Sequence, residues 1–271
     1  MSPPLPPTLL LAALLFVLAA GIVRGFAGFG FSALCVAGLS LFAPPAQVVP
    51  PIFVLEVLAS LTLLRAALRE ANWSWLSWLV LGNALCIPLG IAVLSWLDEL
   101  PLRLLIGVLL LIGVLLLGAA LLLRSGWRLA LTPTRGMRLA TGLVSGLVNG
   151  VAAIGGIAVA VMLSTTQMAP AVMRATLVLL FLLTDLYALA WAGLLSAGAL
   201  HGPALLGPDT LRWALWLAPA MLAGIWLGNR WFRGVSPAQF RRWVLNLLIL
   251  IALLSVIRAL WALSALWGSG A

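Results

Sequence analysis

The chain has no lysine, one histidine, two cysteines and only six acidic residues, and charged side chains fill 8% of its 271 positions. Soluble domains carry about 25% charged residues, so an ordinary water-soluble globule is excluded. No GxxxxGK[ST] phosphate loop is present, and the chain does not burn nucleotide itself. Cys35 and Cys86 both fall in apolar segments and supply neither a disulfide framework nor a metal spacing. The single histidine, His201, lies in a Gly/Pro loop with no cysteine placed to pair with it. No two acids sit at ligand spacing on one helix. An intramembrane enzyme would need a nucleophile with a base, or a metal cluster. No catalytic residue, metal ligand or cofactor is therefore expected.

Apolar residues dominate, at 64% of the chain. Apolar runs near 20 residues recur along its length, which is the length that crosses a bilayer as a helix. The expected class is an all-α integral membrane protein, with the lipid bilayer as its surroundings. The formal charge of +9 comes entirely from arginine. In an apolar chain those arginines read as loop residues that set topology, and no nucleic-acid partner is expected. Many of the thirteen tryptophans, such as Trp73, Trp75, Trp78, Trp96, Trp231 and Trp243, fall near span ends as an aromatic belt. No arginine precedes Arg24, so Met1–Ala20 lacks the basic start of a cleaved signal peptide and reads as retained.

Two stretches organise the sequence. Gly21–Pro45 reads GIVRGFAGFGFSALCVAGLSLFAPP, and Gly146–Pro170 reads GLVNGVAAIGGIAVAVMLSTTQMAP. At an offset of 125 residues, Gly21/Gly146, Val23/Val148, Gly25/Gly150, Ala27/Ala152, Gly30/Gly155, Ala33/Ala158, Val36/Val161 and Pro45/Pro170 coincide. Glycine and proline punctuate backbone rather than fill space, so their coincidence weighs most. Each copy carries one early polar residue at the same place, Arg24 in the first and Asn149 in the second.

Leu9–Val23 and Phe26–Ala43 are short apolar runs separated only by Arg24–Gly25, which predicts a helical hairpin within the membrane. Spans are predicted at Ala46–Leu68, Trp75–Leu97 and Leu102–Leu123. The polar connector Arg124–Arg138 follows. Leu139–Gln167 is too long for one span and is broken at Asn149–Gly150 and Gly155–Gly156. Further spans are predicted at Ala171–Leu195, Arg212–Trp231 and Trp243–Leu263. The organisation is thus residues 1–123 as one repeat, 124–138 as a cytoplasmic connector and 139–271 as a second repeat. If each broken unit enters and leaves on one side, the loops at Arg65–Glu70 and Arg230–Arg242 share the connector's side, and inside loops hold most arginines. Both termini then lie outside. Each half is one hairpin plus three crossings, and an odd number of crossings inverts the second half. Inverted repeats with broken helices are the mark of secondary transporters.

RGFAGFGF in the first half and GVAAIGG in the second resemble the glycine motifs of the TauE/SafE family, the sulfite exporters or 4-toluenesulfonate uptake permeases. PLGIAVLSWLDELPLRLL and LAGIWLGNRWFRGVSPAQFRRWVL extend the resemblance over nearly the whole chain. Membership implies a transporter of the bacterial inner membrane for sulfite, sulfonates, sulfoacetate-like compounds or related small organic anions. It also implies a proton-linked or passive mechanism. An anion channel is the alternative, although channels favour rings of charge or carbonyls about an axis. An intramembrane enzyme ranks below both.

A sulfur oxyanion needs donors and positive charge. Helix N-termini supply both, glycine lets backbone approach closely, and an arginine fork suits the oxygens. The expected substrate-binding residues are Arg24, Gly25, Gly28 and Gly30 in the first unit, and Asn149, Gly150, Gly155 and Gly156 in the second. Arg174 joins them as a guide for anions. Close helix packing is the other reading of the glycines. Glu56 and Asp185 stand near the middle of spans. They are candidates for proton coupling, or else static counter-ions of Arg24 or Arg174. Gln47, Asn83 and Gln167 are secondary pore candidates. The expected partner is a small anion, and a homodimer is an assembly that such folds allow.

Overall fold

In a computed structural model, residues 6–40, 43–102, 104–109, 112, 134–164, 166, 168–197, 204–232 and 239 are described. Gln167, the His201 loop, most of the 124–138 connector and the span predicted at Trp243–Leu263 lie outside the described residues, as does most of Leu102–Leu123. Among the described residues the regular structure is helical, with no strand.

Eight helices position the site. They are α1 (Pro7–Ala27), α2 (Phe31–Leu39), α3 (Pro45–Glu70), α4 (Trp73–Trp96), α5 (Arg135–Ala152), α6 (Gly156–Ser164), α7 (Pro170–Ser196) and α8 (Pro208–Phe232). Five of them, α1, α3, α4, α7 and α8, are long and apolar enough to cross a membrane. Starts follow local rules. Proline occupies the first turn of α1, α3 and α7, where its missing N–H has no helical partner to lose. The side chains of Asn72 and Thr134 accept from the N–H groups of Trp75 and Met137, capping α4 and α5.

The predicted spans at Ala46–Leu68, Trp75–Leu97, Ala171–Leu195 and Arg212–Trp231 match α3, α4, α7 and α8 to within a few residues. The break in the first glycine-rich unit differs from expectation, and of the two breaks expected in the second only the one beside Gly155–Gly156 is present, with Ala153–Gly155 between the helices. Arg24–Gly25 and Asn149–Gly150 stay helical, and α1 runs for 21 residues. The chain turns instead at Gly28 (φ 81°) and Gly30 (φ 92°) in the first unit, and at Ala153 (φ 58°) in the second. A polar side chain does not break a helix when it finds partners, whereas a left-handed backbone does. The helix after each break, α2 or α6, has nine residues. It is about 13 Å long at ~1.5 Å per residue, under half of a ~30 Å hydrocarbon layer.

Every element of the first unit has a counterpart 125 residues on. Phe31–Leu39 corresponds to Gly156–Ser164, and the start of α3 at Pro45 to that of α7 at Pro170. The packing follows the same correspondence. The most extensive contacts are α4 with α5 and α1 with α8, each joining one half to the other, and α3 packs on α7. Exchanging the halves maps each of these pairs onto another, or onto itself.

Glycine makes the two largest interfaces. A Cβ on Gly21 or Gly25 would overlap the backbone of Met221 or Ile225, and one on Gly224 or Gly228 would overlap that of Leu18 or Ile22. Gly142, Gly146 and Gly150 sit in the same way against Leu79, Asn83 and Ile87. This is the small-xxx-small packing of membrane helices, where backbones approach closely. The outer faces are apolar. Leu81, Leu85 and Leu89 form an exposed stripe on α4, and Trp73 and Trp96 are exposed at its two ends. That is the pattern of a lipid-facing helix between two interfaces. Trp75 differs from the belt expectation. It is buried, with the Arg138 guanidinium over its ring at 4.6 Å.

Candidate functional site

The last turns of α1 and α5 bring the polar residues inward. Gly28 N–H donates to the Arg24 carbonyl at 2.9 Å, and Ala153 N–H donates to the Asn149 carbonyl at 2.7 Å. Arg24 and Asn149 are thus the last residues whose carbonyls are closed by the turn at each break. Both side chains are buried, Arg24 at 0% and Asn149 at 1% exposure.

Arg24 is held from four directions. Its Nε lies 2.9 Å from Glu56 Oε2, its Nη2 donates to Ser60 Oγ at 2.7 Å, and its Nη1 donates to the Gly28 carbonyl. Its guanidinium carbon sits 4.6 Å from the centre of the Phe181 ring. Glu56 Oε1 accepts from the Ser32 backbone N–H at 3.2 Å, in the first turn of α2. The carboxylate therefore takes both the arginine and a free N–H of a helix start, the two donors expected to serve an anion. An unpaired arginine at this depth would be costly. The ion pair and the hydroxyl remove most of that penalty.

The second unit carries the same architecture with different chemistry. Asn149 Nδ2 donates to Asp185 Oδ1 at 2.8 Å. At the 125-residue offset Asp185 stands where Ser60 stands, and Phe181 where Glu56 stands. One unit pairs an arginine with an acid and a hydroxyl; the other pairs an amide with an acid. Phe181 joins the two, since it lies under Arg24 and a Cβ on Gly156 would strike its ring.

Arg174 opens the second turn of α7. It is 9% exposed, and its Nη2 donates to the Gly25 carbonyl and to Asn229 Oδ1, the latter at 2.8 Å. It also lines a small cleft between α3 and α7, with Leu63, Ala67, Glu70 and Val178. Gly28 lies between the two arginines. Its carbonyl takes Arg24, and a Cβ there would meet Arg174 Cγ.

The remaining candidates are placed as follows. Gly25 and Gly150 face α8 and α4 at the close helix contacts. Gly28, Gly30, Gly155 and Gly156 form the breaks and are buried. Asn83 is buried; it donates to the Leu79 carbonyl at 2.8 Å and accepts from Ser145 Oγ at 3.3 Å, a helix-to-helix bond. Gln47 is exposed at the start of α3, away from this cluster. Ser60, Ser32, Phe181 and Asn229 were not singled out from the sequence. Two of them carried a signal: Ser60 lies one turn from Glu56, and Phe181 is Glu56's counterpart in the repeat. Among the described residues no cluster of histidine, cysteine and acid forms a metal site.

The family model described as Sulfite exporter TauE/SafE matches residues 13–255. The chain belongs to the TauE/SafE family. No curated protein and no solved structure matches the chain. Both glycine-broken units, the ion pair and the amide–acid pair lie within the matched residues. TauE/SafE is a transporter family rather than an enzyme class, and the apolar helices make this member a membrane protein.

Proposed function

We propose that the chain is a secondary transporter that moves small sulfur-containing or organic anions, such as sulfite or sulfonates, across the bacterial inner membrane by alternating access. The observation that carries this reading is the buried Arg24, held by Glu56 at the break of the first unit. The Glu56 carboxylate stands where an oxyanion would stand, between an arginine and the N–H groups of a helix start. A substrate anion binds by taking over those donors as the carboxylate gives way. The cleft at Arg174 is the approach, because Arg174 lines it and stands against Gly28, whose carbonyl takes Arg24. Transport is coupled to protons through the buried acids Glu56 or Asp185.

Alternating access is supported by the packing. Each half lends its first long helix to the last described helix of the other, so a rocking of one half against the other moves both breaks together. This suits two inverted repeats of one hairpin and three crossings, with both termini extracytoplasmic. The test is uptake of sulfite, sulfate, taurine and an aryl sulfonate into proteoliposomes, over a range of concentrations and with or without a proton gradient. A carrier gives saturable uptake of at least one of these anions. Flux that rises linearly without saturating points to a channel, and no flux of any of them sinks the substrate class.

A further inference from the structure

We infer that the transported proton rides on Asp185, shared with Asn149, and not on Glu56; this assignment rests on the transporter reading above. The two buried acids are in different states of completion. Glu56 Oε1 accepts from the Ser32 N–H, and its Oε2, which accepts no hydrogen bond among the described residues, has the Arg24 charge 2.9 Å away as its ion-pair partner. Asp185 has one donor, Asn149 Nδ2, on Oδ1. Among the described residues its Oδ2 has no hydrogen-bond partner, and neither has Asn149 Oδ1, although both atoms are shut off from solvent.

The two leftover atoms are complementary in one specific way. A carboxyl and a primary amide pair through two parallel bonds when the carboxyl carries its proton. Here the amide N–H bond is present and both remaining atoms are acceptors. One proton supplies the missing donor: on Asp185 Oδ2 it donates to Asn149 Oδ1 and satisfies both atoms at once. Two open acceptors suit a proton. A sodium or larger cation wants several more oxygen ligands, and no acid cluster supplies them among the described residues.

Charge agrees. Arg24 from α1 and Glu56 from α3 are the charged groups acting on Asp185, and as an ion pair they offset each other. Helix α5 offers only the neutral Asn149 at this level, α6 has no titratable side chain, and α4 has only Cys86. An ionised Asp185 therefore leaves one uncompensated negative charge inside the membrane, which is costly. Taking up a proton removes it. In the first unit the same place in the repeat is filled by a built-in cation, Arg24; in the second a neutral amide leaves room for an exchangeable one. Binding and release are then simple: the proton joins Asp185 Oδ2 from one side of the membrane and leaves to water on the other.

Infrared difference spectroscopy of the purified protein across a pH titration tests this. The carbonyl band of a protonated carboxylic acid should appear and disappear in the wild type, be absent in Asp185→Asn and persist in Glu56→Gln. A wild type without the band, or a band that survives Asp185→Asn, overturns the assignment. If Asp185→Asn does not fold, Asp185→Glu replaces it. The band should then shift, and an unshifted band overturns the assignment. In proteoliposomes, the ratio of anion uptake with a proton gradient to uptake without one should exceed one in the wild type and fall to one in Asp185→Asn. A ratio unchanged by the substitution overturns the assignment. The infrared readout needs no transport, so the Asp185 band in a protein that moves no anion upholds the proton site and contradicts only the transporter reading.

Discussion

Asn149 donates to Asp185 at 2.8 Å across α5 and α7, in the place where Arg24 donates to Ser60 at 2.7 Å across α1 and α3. Both bonds join residues 36 apart, and the two pairs are 125 residues apart in the chain. The two units share the geometry of a polar contact and differ in its chemistry. Each places polar groups inside an apolar body, and which of those groups is charged differs.

The Arg24–Glu56 pair sets the first expectation. Arg24→Ala leaves Glu56 buried without its counter-ion and should destabilise the protein by about 3–5 kcal/mol. Arg24→Met combined with Glu56→Leu removes both charges and should regain most of that loss, because apolar replacement of a whole buried pair is often neutral. Thermal unfolding in detergent measures both. Losses that simply add in the double variant would contradict a direct pairing.

Gly25→Leu and Gly150→Leu should each abolish folding or lower the unfolding temperature severely, since backbone atoms of Ile225 and of Ile87 occupy the space. Gly207→Ala is the control. Among the described residues nothing lies within 4 Å of its added carbon, and its stability should stay within about 0.5 kcal/mol of wild type. Size-exclusion profiles and melting curves separate the cases.

Ala153 holds a left-handed φ of 58° that favours glycine. A non-glycine residue there is strained by about 1 kcal/mol or more, so Ala153→Gly should stabilise the protein by about 0.5–1 kcal/mol. Gly28→Ala should do the reverse, by more than about 1 kcal/mol, because Gly28 has φ 81° and Arg174 stands against it. Chemical denaturation of the two variants reads both signs.

Arg174 ties the end of α1 to Asn229 on α8 through one nitrogen. Arg174→Ala should lose about 1.5–3 kcal/mol for its charged hydrogen bonds. Arg174→Lys should restore only part, since an ammonium lacks the planar fork. Equal stability of Arg174→Lys and wild type would contradict this arrangement.

The polar residues of the site were legible because each interrupts an apolar run. Arg24, Glu56, Asn149 and Asp185 stand out for that reason, and the 125-residue offset pairs Arg24 with Asn149 and sets Asp185 one helical turn from the counterpart of Glu56. The span positions were legible from run length and from the prolines that start α3 and α7. The break at Gly155 in the second unit was legible from its glycine pair, whereas the site of the break in the first unit was not. Arg24–Gly25 reads as an interruption, yet Arg24 stays helical because Glu56 and Ser60 satisfy it, and hydropathy cannot show a partner 36 residues away. Which glycine takes a positive φ is likewise a tertiary decision. Gly25 is packed against Ile225, while Gly28 and Gly30 turn. Gln47, polar at the start of a span, faced outward, a choice that helical spacing alone left open.

In the proposed function Arg24 is the anion's seat and Glu56 its placeholder. Saturable uptake of sulfite or a sulfonate by proteoliposomes, compared between wild type and a folded Arg24→Met/Glu56→Leu protein, tests it most directly. The wild type should show saturable uptake, and the folded double variant none above the liposome background. Uptake by the double variant at the wild-type rate would contradict it.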